Sequence, residues 1–192
     1  MTRAALFDAI RPYAPERKFT PEHVAAIDAL ADSFGLDRIE SKGLTPSRIA
    51  LETIKRFEGC RLEAYPDPAS GGDPWTIGVG ATGPGIRKGV VWTQEQADAR
   101  LKDDVARFAQ GVSALIKTAP TTQGQFDALV SLSFNIGLQA LKESTLLRMH
   151  IDADYTGAAG QFPRWTRAAG KVMPGLVKRR AAEQRIYMGL PA

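Results

Sequence analysis

The sequence predicts an α+β protein, mainly α-helical, with one small β-hairpin lobe. Three observations predict it. Several stretches carry apolar residues at helical spacing, as in Leu101, Val105, Phe108, Val112 and Leu115. These stretches are punctuated by helix-start and helix-stop residues, such as Thr93 with Gln96 and, further on, Gly137. Only one region reads as paired strands: RLEAYPD alternates, PDPASGGDP is turn-rich, and WTIGVG returns.

Taken in order, residues 4–13 carry Leu6, Ile10 and Tyr13 at helical spacing, until Pro12 and Pro15 break the run. Thr20 caps a second helix with Pro21 at its first position, where the missing amide proton is not needed. Val24, Ile27, Leu30, Ala31 and Phe34 form its apolar stripe, Gly35 ends it, and His23 is expected at the surface. Two such helices cannot bury a core alone and must dock on something. A polar connector with Gly43 leads to Thr45-Pro46, which cap a helix with Ile49, Ile54 and Phe57 inward, ending at Gly59. After the hairpin, ATGPGIRKGVVW reads as loop. Thr93 and Gln96 make a capping box for a long helix reaching about Lys117. QGQFDALVSLSFNIG is a further helix with a mostly buried pattern, from Phe126 to Phe134. Ser144 caps another through Met149. A short helix around 158–167, with Trp165 as a core plug, precedes the loop GKVMPG and a last helix from Leu176 to Met188.

Composition narrows the function classes. The 192 residues suit one domain, or one domain with an appendage, and 44% hydrophobic content is ordinary for a folded chain. The single cysteine, Cys60, excludes an intramolecular disulfide and a cysteine-based zinc cluster, fits a reducing compartment, and reads as a small buried side chain. One Cys and two His argue against a zinc amidase, whose site needs about three protein ligands. No apolar run reaches the roughly 18 residues of a membrane span, and the first residues lack the long apolar core of a signal peptide. Charge is uneven. Residues 145–192 carry eight Lys and Arg against three Asp and Glu, a net +5, whereas residues 1–45 come to −1. A basic C-terminal lobe suits an anionic polymer, a wall polymer with acidic peptides or a nucleic acid. For Lys178, Arg179 and Arg180 by themselves, a solvated helix face is the favoured reading.

The chemistry concentrates between Thr53 and Thr82. Glu58 occupies the last turn of its helix, where the negative helix end disfavours a carboxylate. Asp67 follows nine residues later at a strand end, and Thr76 nine residues after that, where the returning strand starts. An acid, a second carboxylate and a hydroxyl facing one cleft are what glycoside hydrolysis requires. To protonate the leaving oxygen, Glu58 must hold a proton near neutral pH. An apolar surround from Phe57 and the helix-end dipole favour that, while a cationic neighbour would oppose it and yet hold the side chain in place. Asp73, in GGDPW, is the rival to Asp67.

The residues FEG, RLEAYPD and WTIGVGAT resemble the catalytic segment of the phage-type lysozymes (endolysins, glycoside hydrolase family 24). That family carries a Glu–Asp–Thr triad, and the resemblance places it on Glu58, Asp67 and Thr76. SFNIG with STLLR, and QFPRWTRAAGKVMPGLVKRRAAEQ, are similar, respectively, to the segment lining the far side of that family's cleft and to its C-terminal lobe. The resemblance implies a two-lobed lysozyme-like fold with a β-hairpin lobe and a helical C-terminal lobe. It also implies Asn135 as a substrate-binding residue, the other reading being a helix C-terminal residue before Gly137. Arg61, just after the helix stop, is a further candidate substrate-binding residue, bridging the hairpin to Asp67 or to the helix end, or else making a surface salt bridge. Ala81 stands where the family commonly has His in TIGxGHT, so a local ionic contact is missing.

The expectation is therefore a muramidase of residues 45–192, cutting between N-acetylmuramic acid and N-acetylglucosamine, preceded by a helical extension, 1–44, that packs on the body or contacts the wall. No metal or cofactor is expected. Peptidoglycan is the expected partner, with no nucleic acid, no stable membrane insertion and a monomeric state. The enzyme would wait in the host cytoplasm and reach the wall through a holin. A lytic transglycosylase, which needs chiefly the Glu, and a decayed wall-binding protein are the alternatives.

Overall fold

A computed structural model describes residues 3–36, 43–66 and 71–191. Its helices are α1 (Arg3–Ile10), α2 (Pro21–Ser33), α3 (Arg48–Glu58), α4 (Gln94–Ile116), α5 (Gln123–Ile136), α6 (Leu138–Lys142), α7 (Thr145–Ile151), α8 (Tyr155–Ala159) and α9 (Pro174–Tyr187). Strands β1 (Arg61–Tyr65) and β2 (Thr76–Gly78) pair antiparallel, as do the two-residue strands β3 (Arg167–Ala168) and β4 (Lys171–Val172). The α+β class, mainly helical with a small hairpin lobe, is as the sequence predicts.

The core forms around α5. Phe126, Ala128, Leu129, Val130 and Leu132 are fully buried on it, with α3, α4 and α9 packed around. Thr122 caps α5 through the amide of Gln125, whose side chain returns the bond to the Thr122 amide. Gly124 lets α9 approach: a β-carbon there would lie 2.6 Å from the Ile186 carbonyl oxygen. On α4, Ala97, Leu101, Val105, Val112 and Ile116 make the buried stripe, with Phe108 and Leu115 at its edge.

Several local expectations shift. Ser47, not Thr45, caps α3, accepting from the Ile49 amide and donating to the buried Asp127 carboxylate on α5. That register turns Ile49 outward, and Thr53 takes a buried position instead. The end of the expected loop 81–92 lies along the free edge of β1: the Trp92 amide donates to Leu62 O at 2.8 Å, and Ala64 donates to Val90 O at 2.9 Å. The expected helix around 158–167 is α8 followed by a 3-10 turn, Phe162–Trp165, because Pro163 and Gly160 interrupt it. Phe162 is the core plug, and Trp165 is only half-buried. The loop after it contains the β3–β4 turn. Cys60 is half-buried rather than buried.

The first helices dock on the C-terminal lobe. Phe7, not among the sequence candidates, is fully buried and meets Phe19 and Tyr155 edge-on. The Arg11 guanidinium donates to Asp152 O, and Thr156 donates to Asp8 at 2.6 Å. On α2, Thr20 and Pro21 cap as expected, and the His23 ring accepts from the Thr20 amide. Ile27 and Ala31 face inward, whereas Tyr13, Leu30 and Phe34 are exposed, because two short helices bury only one side. Phe7→Ala is expected to cost about 3 kcal/mol, the lower range for removing a buried aromatic ring, read as a lowered urea midpoint at constant slope.

Behind this contact, His150 is fully buried between Tyr187, whose hydroxyl lies 2.6 Å from Nδ1, and Thr121, 2.9 Å from Nε2. Burial pushes His150 down to about 3. The folded state thus holds it neutral, while the unfolded chain binds a proton below about pH 6.5, so stability falls as pH drops from there toward 3. At pH 4 this amounts to about 3 kcal/mol. His150→Gln should be less stable at pH 7 but lose less between pH 7 and pH 4.5, measured by urea unfolding at both.

Candidate active site

Gly59 puts the site together. At φ +74° it ends α3 at Glu58 and turns the chain into β1, a backbone conformation that costs a residue with a β-carbon. The turn of α3 that carries Glu58 is tied to α4 by Lys55, whose ammonium donates to Asp98 at 2.6 Å. The Lys55 hydrogen bond, with a second from Gln94, holds the Asp98 carboxyl below its ordinary range.

The Glu58 side chain is 27% exposed, and Arg179 Nη1 donates to its Oε1 at 2.6 Å. Arg179 comes from α9 and is almost wholly buried. Its other donors are spent behind the site: Nε to Glu183 Oε1 at 3.1 Å and Nη2 to Ser131 O at 3.2 Å. Glu183 Oε1 also accepts from Ser131 Oγ at 2.7 Å and Arg180 Nη2 at 2.9 Å. Arg180 Nε lies 2.7 Å from Glu183 Oε2, at ion-pair distance but off the line a hydrogen bond needs. Burial pushes the Glu183 carboxyl up, against the two guanidiniums. The expected solvated face holds for Lys178 and is corrected for its neighbours: Arg179 and Arg180 are 2% and 1% exposed, neutralised by Glu183 and Glu58. Their spacing to Glu183, four and three residues on one helix, is the sequence signal that could have revealed this.

In front of Glu58 lies an open cleft of about 590 Å³. Phe57, Asn135, Trp165, Arg164, Arg167 and Met173 line it with Glu58 and Arg179. Asn135, near the end of α5, thus shares a cleft with Glu58. Trp165 lines it rather than plugging the core. Thr76 stands at the start of β2 opposite Tyr65, half-buried. Arg61 sits opposite Gly78, and its guanidinium packs 4.2 Å from the centre of the Tyr65 ring. Asp67 lies outside the described residues, and its rival Asp73 is exposed before Pro74. Ala81 is buried and exchanges both backbone hydrogen bonds with Ile77, each at 2.9 Å. Among the described residues no cluster of His, Cys, Asp and Glu could hold a metal.

This arrangement is a carboxyl at a helix end, clamped from behind and open in front to a cleft with aromatic, amide and cationic walls. It suits acid-assisted cleavage of a polar polymer. The phage lysozyme family model matches residues 55–183, which run from the last turn of α3 through the hairpin and cleft to Glu183. The endolysin of Acyrthosiphon pisum secondary endosymbiont phage 1 is 44% identical over 145 residues, covering 73% of this chain and 96% of that one. The endolysin of Bacillus phage B103 is 42% identical over 142 residues, covering 74% of this chain but 53% of its own length. Among solved structures, the endolysin from Escherichia coli O157:H7 phage FAHEc1 superposes with a TM-score of 0.69 at 38% identity, covering 78% of this chain and 98% of that one.

The chain belongs to the phage lysozyme family. It is accordingly a glycoside hydrolase of the muramidase class, with the two-lobed fold of that family.

Gly59→Ala tests the local frame. It should cost about 1–2 kcal/mol in stability, because the left-handed backbone persists with a β-carbon, and lower kcat by displacing Glu58; thermal melts and initial rates check both.

Proposed function

We propose that this chain is a phage endolysin that hydrolyses the β-1,4 bond between N-acetylmuramic acid and N-acetylglucosamine in bacterial peptidoglycan, lysing the host at the end of infection. The observation that carries the reading is Glu58 at the end of α3, facing a cleft it shares with Asn135 and Trp165. Family membership supports the same substrate.

Glu58 is the general acid. Its proton passes to the glycosidic oxygen as the bond from the anomeric carbon breaks, and positive charge builds on the sugar ring. Asp67, ionised, steers a water to that carbon or stabilises the charge, and the Thr76 hydroxyl holds the same water. The water's oxygen bonds to the anomeric carbon, and its proton leaves to the carboxylate that orients it. Asn135 hydrogen-bonds the sugar through its amide, and Arg61 steadies the hairpin on which Asp67 and Thr76 lie. Arg164 and Arg167 on the cleft wall suit the acidic peptides of murein.

Residues 45–192 are the catalytic domain in this reading, and residues 1–44 an extension that buttresses the C-terminal lobe through Phe7 and Arg11. Tyr13, Leu30 and Phe34 are the apolar side chains the extension would offer to the wall. The enzyme acts as a monomer and needs no cofactor. In this reading the enzyme reaches the wall from the host cytoplasm through a holin; among the described residues no helix is long and apolar enough to cross a membrane.

The test is a digest of purified murein read by mass spectrometry. The expected products end in reducing muramic acid, each fragment heavier by one water. Anhydro-muramic ends would instead make the protein a transglycosylase, with Asp67 and Thr76 structural. Glu58→Gln should keep its fold and its binding to murein while losing about a thousandfold or more in kcat, the range for removing a general acid; unchanged lysis would sink the assignment.

A further inference from the structure

We infer that Glu183 is a positioning residue for the cleavage reaction, acting on Glu58 through Arg179. The inference rests on the reading of Glu58 as the acid.

The geometry is that of a relay with one buried anion at its base. Glu183 is completely buried on α9 and gives one oxygen, Oε1, to three donors: Ser131 Oγ, Arg179 Nε and Arg180 Nη2. Three donors converging on one oxygen is what an ionised carboxylate accepts. Arg179 is then fixed at three points, to Glu183, to Ser131 O and, through its remaining nitrogen, to Glu58. A guanidinium is planar, so fixing Nε and Nη2 sets the direction in which Nη1 points. Glu183 therefore aims the group that holds Glu58.

Charge gives Glu183 its second role. The charged groups facing it are Arg179 and Arg180 from its own helix; α5 contributes the neutral Ser131, and α3 contributes Glu58, reached through Arg179. Arg180 Nη1 is buried without a hydrogen-bond partner, and the Arg180 charge is met first by Glu183 and to a lesser degree by Glu58. Without the Glu183 charge, two buried guanidiniums would share one anion, Glu58. They would then favour its ionised form, the form that has no proton to give. Glu183 thereby takes up part of the guanidinium charge that would otherwise act on Glu58 alone.

The experiment is the rate–pH profile of Glu183→Gln on purified murein, beside wild type and Glu58→Gln. The amide keeps the shape and an accepting oxygen but loses the charge. The expected result is a folded protein whose alkaline limb moves about one unit toward lower pH, with kcat at neutral pH down about tenfold and KM within about twofold. A merely structural role would move stability and leave the limb in place, so a wild-type profile overturns the inference. If E183Q does not fold, the paired variant E183Q/R180M, which removes one buried cation with the buried anion, is measured instead: its limb should stay at the wild-type position while kcat falls because Arg179 is no longer aimed, and a wild-type kcat overturns the inference. Failure of both to fold assigns Glu183 to the core alone and equally overturns it. The two readings separate cleanly. An active E58Q defeats Glu58 as the acid, whereas an inactive E58Q with an unmoved E183Q defeats only the relay.

Discussion

The Arg179 guanidinium is where the three main helices of the C-terminal lobe meet in one group. It leaves α9, takes the backbone carbonyl of Ser131 on α5, and ends on Glu58 of α3. Such a buried cation is costly unless every donor is used and its charge is met, and removing one partner costs far more than the pair contributes. Nearby, the backbones close up: Gly124 leaves no room for a side chain between α5 and Ile186. Apolar packing around Phe126, Leu129 and Leu132 supplies the driving force for this assembly, and the ionic cluster makes its register specific.

Function follows from how differently the two sides of Glu58 are treated. Behind it, Arg179, Glu183 and Ser131 leave little freedom, and the helix end is anchored again by Lys55 on Asp98. In front, the cleft is open and mixed in character, with Trp165 and Phe57 offering apolar faces and Asn135, Arg164 and Arg167 polar ones. A held acid beside an open cleft is the division of labour that catalysis on a long polymer requires, since orientation of the acid lowers the barrier while the substrate must still slide in.

The extension uses a different logic. Phe7 enters an aromatic cluster with Tyr155 and Phe19, and behind Tyr155 stands His150, held neutral between Thr121 and Tyr187. A polar group so deep is tolerated because both ring nitrogens find partners. The same burial makes the region acid-sensitive.

By itself the sequence determined the class of the fold, the capping of the helices at Thr20 and Thr93, the hairpin, and Glu58 at a helix end. Each depends on neighbours within a few residues, where spacing and turn chemistry suffice. The tertiary structure alone decided which charges are surface and which are core. Arg179 and Arg180 read as solvated because their compensation comes partly from Glu58, 121 positions earlier, and from Ser131, 48 positions earlier. Phe162 takes the core position expected of Trp165 for the same reason: local pattern fixes the helical face a residue occupies, and only packing fixes what that face meets.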